Sequence, residues 1–314
     1  MLCALISVSL LVSASARVGY KKFPEPVEEQ IKSRRPSASD LPSAFDWRNI
    51  NGTNFGSQVM NQKNPHVCGS CWAQAAIGAL SDRYNIATQG LLNIQLSPQN
   101  LMDFDSKLTG GSCEGGDSLK AYDFVYKFKV TDDTCTPYLG LDAEHGFEVR
   151  DLTKAEDIQA HMCYSCDWED RCEYLPVADF NSYGVDEFGS VNGEQEMKAE
   201  IFARGPIACS LNSEAPAFNV YKGGVISNKN PIYDRSTDHV VVISGWGVDS
   251  AGLGYWVGRN SYGGQWGEGA GGGWFRLERG VNALSMESHE CHWAVPAQAD
   301  VQRALGQWRE SVAQ

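Results

Sequence analysis

The chain has 314 residues, 42% of them hydrophobic and 11% aromatic. That is enough for a core needing neither metal nor disulfide, and it excludes a disordered or fibrous protein. A formal net charge of −13 argues against a nucleic-acid partner and against charge-driven binding to an anionic membrane.

The first sixteen residues, "MLCALISVSLLVSASA", form an apolar run closing on Ala14-Ser15-Ala16, the pattern of a secretory signal peptide. The run is too short for a membrane span, and no later segment approaches 18 apolar residues, so no membrane insertion is expected. Residues 17–40 are polar, rich in proline and charge and without helical period; they read as a short pro-segment with Arg34-Arg35 as a processing point. "NGT" makes Asn51 a glycosylation acceptor.

Residues 61–72, "NQKNPHVCGSCW", set Cys68 and Cys71 three apart. A disulfide, a metal clip, a redox couple, or one structural and one reactive thiol are all open at this point. Behind them Trp72, Ala75, Ala76, Ala79, Leu80 and Tyr84 recur at three and four, predicting a buried helix that Gly90 ends. A cysteine in the first turn of that helix feels the positive end of its dipole, which lowers a thiol pKa. Further helices are predicted over 97–104 and 118–129.

"HMCYSCDWEDRC" (161–172) admits a zinc reading on His161, Cys163, Cys166 and Cys172, but no second pair follows at finger spacing. In a secreted chain, disulfides are the better reading, as for Cys291 in "HECH" (289–292). "HVVVISGWGV", "GYWVGRNSYG" and "GGWFRLERG" are glycine-punctuated β runs of an antiparallel sheet or barrel. A helical first half and a β second half predict an α+β protein of two lobes with a cleft between them. The tail from Ala299, "ADVQRALGQWRESVAQ", is a weakly amphipathic helix.

Ten cysteines are present, and Cys3 leaves with the signal peptide. The odd remainder leaves one thiol free or paired between molecules. A thiol attacks carbonyls as thiolate, so it needs an imidazole base, a polar group to fix that ring, and donors for the oxyanion. "CGSCW" offers Cys71, "DHVVVISGWG" places His239 at a strand start, and "VGRNSYGGQWG" places Asn260 at a strand end.

With "FDWRN" (45–49) and "GSCEGG" (111–116) in the same order, the stretch from Leu41 to about Pro296 resembles the papain-like cysteine proteases. The resemblance implies a helical left lobe, an antiparallel β-barrel-like right lobe and an active-site cleft between them. By resemblance, Cys71 is the nucleophile, His239 the general base and acid, and Asn260 the ring-orienting partner. Gln62 joins the Cys71 N–H in the oxyanion hole, Gly115 and Gly116 form a substrate ledge, and Trp266 covers the leaving-group side. No cofactor and no metal are implied. Residues 41–296 would be the peptidase domain and 297–314 a C-terminal extension. His239 lies 168 residues after Cys71, beyond the roughly 130–150 usual for such enzymes, an excess that the cysteine-rich stretch at about 135–180 explains.

Gln62 lies nine positions before Cys71 where most papain-like enzymes have six. That insertion resembles the cathepsin X branch (also called cathepsin Z), a carboxypeptidase type. The branch implies the pairs Cys68–Cys113, Cys135–Cys163, Cys166–Cys172 and Cys209–Cys291, leaving Cys71 free. A further bridge of the branch is missing both halves here. Where the branch carries a carboxylate-binding histidine after the glutamine, this chain has Lys63, and His66 is a second candidate. The family's "NSWG" is "NSYG" here, with Tyr262, and the glycine-rich run 267–275 is expected to be flexible. The pro-segment lacks the cysteine found in the branch.

The resulting expectation is a monomeric cysteine carboxypeptidase of the secretory pathway, lysosomal, vacuolar or extracellular. It would act on proteins and peptides with a free C-terminal carboxylate. An endopeptidase of the same fold and a catalytically inactive binding or adhesion homologue are the alternatives.

Overall fold

Helix α1 (Cys71–Ala87) is the element against which the rest of the protein packs, and it is buried continuously from Cys71 to Asn85. In this computed structural model the described residues are 41–142, 154–169, 171–227, 236–269, 271–289 and 291–313. The signal peptide and pro-segment expected over 1–40 lie outside them. A helix buried all round needs small residues wherever a neighbour comes close. At Gly78 an added Cβ would stand 3.0 Å from the Arg259 guanidinium. The helix stops where the sequence puts its break: Thr88 caps it and Gly90 takes φ +73°.

Against one side of α1 lies α2 (Ser118–Phe128), opened by the Asp117 carboxylate accepting from the Leu119 N–H. Tyr122 of α2 donates its hydroxyl to the Ala76 carbonyl at 3.1 Å. With the short helices Gln99–Met102 and Ser106–Thr109, these make the helical lobe.

The strands are β1 (Phe45–Asp46), β2 (Gly111–Ser112), β3 (Gly115–Gly116), β4 (Tyr164–Cys166), β5 (Cys172–Tyr174), β6 (Val185–Val191), β7 (Ile207–Leu211), β8 (Val225–Ile226), β9 (His239–Val248), β10 (Gly254–Arg259), β11 (Trp274–Glu278) and β12 (Cys291–Pro296). The main sheet runs β6-β12-β7-β9-β10-β11-β8, with β1 paired to β9. Its pairings are antiparallel except β11 with β8. The three predicted β runs fall on β9, β10 and β11.

From sequence no helix is expected between β6 and β7, yet α3 (Glu194–Arg204) stands there. Its buried residues include Lys198 and Glu200 beside Met197 and Ile201. Charge on the inner face therefore hides the 3.6-residue period. Glu200 takes the guanidinium of Arg83 from α1 at 2.9 Å, both side chains fully buried. The tail helix α4 (Gln298–Val312) buries Val301 and Ala304, and its Asp300 carboxylate accepts from Gly184 N–H and Lys129 Nζ. The extension thus packs onto the rest of the protein.

Disulfides join Cys68 to Cys113, Cys135 to Cys163, Cys166 to Cys172 and Cys209 to Cys291. The thiols of the zinc reading are therefore consumed in bridges.

Candidate active site

Cys71 is the free cysteine among the described residues, and it is buried as the first residue of α1. Its approach is fixed from behind. The Gly69 N–H donates to the Cys113 carbonyl at 2.7 Å, and a Cβ on Gly69 would collide with that oxygen. The Cys68–Cys113 bridge holds the same two segments together. Ser70 makes no side-chain cap for α1; its hydroxyl instead meets the Tyr138 hydroxyl at 2.7 Å. The first N–H groups of α1 therefore remain available at the positive end of the helix. Burial pushes the Cys71 thiol up, and the backbone N–H groups of Val240 and Trp72 oppose it by favouring the thiolate.

His239 opens β9 and is 4% exposed. Its Nε2 lies 2.7 Å from Asn260 Oδ1, at the end of β10. That oxygen also accepts the Ser261 N–H at 2.8 Å, so it is the amide carbonyl and Nε2 carries the hydrogen. The other ring nitrogen, Nδ1, is left with its lone pair free to accept a proton. Burial pulls the imidazole below its ordinary value; Asn260 and Asp238 oppose this, and Lys63 reinforces it. Both shifts penalise a lone charge. A buried pocket tolerates a thiolate and an imidazolium together, which are net neutral, far better than either charge alone.

Gln62 is held on three sides. Its N–H donates to the Ser261 carbonyl at 2.9 Å, and its Oε1 accepts from Ser261 Oγ at 2.6 Å. Nε2 donates to the Cys68 carbonyl at 3.1 Å. One amide hydrogen is left to donate elsewhere. Gln62 and Cys68 also close the inserted loop at its base, since the Cys68 N–H donates back to the Gln62 carbonyl. Lys63 to Val67 stand exposed above that closure. The Lys63 ammonium sits 3.8 Å from the centroid of the Tyr262 ring, and Tyr262 lies 4.9 Å from the His239 ring at 37°. His66 lies farther along the loop, where its backbone packs against Gly140.

Trp266 is buried among Phe218, Tyr221, Tyr262 and Phe275, and Phe218 stands edge-on to His239. Gly115 and Gly116 form β3, paired with Gly111–Ser112. A Cβ on Gly116 would stand 2.6 Å from the Trp72 ring, and Gly115 takes φ +116°. The glycine-rich run is tethered at both ends: Glu268 pairs with Arg276 Nε at 2.6 Å and bridges to Trp274 through backbone. Asn51 is exposed in a tight turn. Ser261, Tyr138, Phe218 and Asp238 join the site without being singled out from sequence. Of these, Ser261 and Asp238 each adjoin a motif residue, the one signal that pointed to them.

Residues 41–296 match the family described as papain family cysteine protease. The chain belongs to the papain family of cysteine proteases. Among its papain-family relatives, cathepsin Z of Onchocerca volvulus is 36% identical over 285 residues, covering 88% of this chain and 84% of the relative. A cathepsin B-like cysteine proteinase 6 of Caenorhabditis elegans is 29% identical over 264 residues, covering 79% of this chain and 65% of the relative. The solved structure of the bromelain protease from Ananas comosus, bound to an inhibitor, superposes with a TM-score of 0.60 at 26% identity. That match covers 81% of this chain and 99% of the bromelain chain.

Proposed function

We propose that this papain-family protease is a carboxypeptidase in which Cys71 attacks the last peptide bond of a substrate. The Cys71 thiol gives its proton to His239 Nδ1, and the thiolate adds to the carbonyl carbon. The oxyanion accepts from the Cys71 backbone N–H and the free Gln62 amide hydrogen. The imidazolium then protonates the departing amine, which leaves as the free C-terminal amino acid, and a thioester on Cys71 remains. Water, deprotonated by His239, hydrolyses the thioester, and the proton returns to the sulfur.

The observation that carries the exopeptidase reading is the Lys63 ammonium on the Tyr262 ring, one layer from His239. An ammonium there is a point charge for the carboxylate of the departing residue, and the closed base of the loop limits how far a chain can extend beyond it. The apolar leader and the sequon at exposed Asn51 support passage through the secretory pathway as a glycosylated precursor processed near Arg35.

Steady-state cleavage of one peptide as free acid and as C-terminal amide, at pH about 5, tests the reading. A strong preference for the acid, erased by Lys63→Ala, is expected. Equal cleavage of both at internal bonds would leave an endopeptidase of the same family.

A further inference from the structure

The carboxylate anchor and the catalytic base are not separate in this protein, because one ring touches both. The Tyr262 ring carries the Lys63 ammonium on one side at 3.8 Å and lies 4.9 Å from the imidazole. Ser213, near the Tyr262 hydroxyl, gives both its N–H and its hydroxyl to the Asp238 carboxylate, at 2.6 and 3.1 Å.

We propose that Lys63, Tyr262 and His239 form a three-layer relay through which a substrate's C-terminal carboxylate, on binding Lys63, promotes proton transfer from Cys71 to His239. The anchor then governs chemistry as well as affinity. This inference rests on the carboxypeptidase reading above and deepens it.

The sign follows from the charges that face the imidazole. Asp238 acts from the residue just before β9, Lys63 from the inserted loop beyond Tyr262, and the side chains in contact with the ring, Asn260, Phe218 and Tyr262, are uncharged. Asp238 favours the imidazolium, and the Lys63 ammonium disfavours it. A carboxylate docked on Lys63 cancels that charge or draws it off the ring. The imidazolium is then favoured, and with it the thiolate. An amidated chain end brings no charge and leaves the penalty in place.

The test is the pH profile of Cys71 alkylation by iodoacetamide, a neutral reagent needing no substrate pocket. It is run alone, with 3-phenylpropionate, and with 3-phenylpropionamide, each saturating as judged by inhibition of peptide cleavage. In wild type the carboxylate should speed alkylation near neutral pH roughly threefold, the equivalent of about half a pKa unit on the imidazole, and the amide should not. Lys63→Met should start at that faster rate and respond to neither compound. Tyr262→Phe keeps the ring and should keep the response; Tyr262→Leu should lose it.

If wild type prefers free-acid peptides in turnover but its near-neutral alkylation rate ignores both the carboxylate and Lys63→Met, the relay is wrong and the anchor stands. If wild type shows no acid preference, the carboxypeptidase reading fails and the relay with it.

Discussion

In the proposed mechanism, the oxygen of one side-chain amide sets the direction of proton transfer. Asn260 Oδ1 accepts from both His239 Nε2 and the Ser261 N–H, so the imidazole has one tautomer and one orientation. Ser261 then serves a second amide, holding Gln62 Oε1 at 2.6 Å across 199 positions of sequence. Replacing Gln62 with alanine removes an oxyanion donor and should lower kcat by about 10²–10³, with KM little changed. Ser261→Ala leaves the donor present but unaimed, so its kcat should fall less, by roughly tenfold, in the same assay. A loss in KM instead would place Gln62 in ground-state binding. The motifs that hold Cys71, His239, Asn260 and Gln62 were legible because each is short and their order is informative. Their supports were less so. Tyr138 and Phe218 lie in no motif, and the contact of Lys63 with Tyr262 joins two departures from the family pattern that look unrelated along the chain.

At the level of elements, α1 has to present Cys71 at its first turn while facing strands that carry His239 and Asn260. Its small-residue face was readable from sequence; what locks it to β10 was not. Asp82 of α1 and Arg259, the residue before Asn260, meet through two hydrogen bonds at 3.0 and 3.1 Å, and both side chains are almost wholly buried. Ser57 adds its N–H and hydroxyl to the same carboxylate, each at 2.6 Å. Local period says nothing about a pair separated by 177 positions. Removing one partner strands a buried guanidinium, so Asp82→Ala should cost about 3–5 kcal/mol. Thermal unfolding should then begin roughly 10 °C lower. Little change in Tm would mean that water reaches Arg259 and that the pair does not set the spacing between α1 and β10.

Across the whole molecule, the ionic centre is the Arg83–Glu200 pair, which binds α1 to α3 and to the strands around them. Arg83 also donates to the carbonyls of Pro206 at 2.7 Å, Ala294 at 3.0 Å and Gly205 at 3.0 Å. Glu200 takes a second guanidinium, from Arg204. Burial by itself would raise the Glu200 carboxyl, but Arg83 and Arg204 overcome it and hold the group below the usual glutamate range. A carboxyl depressed in the folded state stabilises the fold at pH above its unfolded value, about 4.3. That contribution fades as the pH falls through the lower folded value. The protein should therefore hold its full stability from this pair at pH 5, where an acidic compartment would use it, and lose it progressively below about 4.3. Glu200→Gln separates the effects. At pH 7 it should be less stable by roughly 3–5 kcal/mol, because the buried Arg83 guanidinium loses its counter-charge, while Arg204 keeps Glu187. In urea titrations from pH 6 down to 3 its stability should fall less steeply than that of wild type. Parallel slopes would assign acid unfolding to carboxylates elsewhere on this strongly acidic chain.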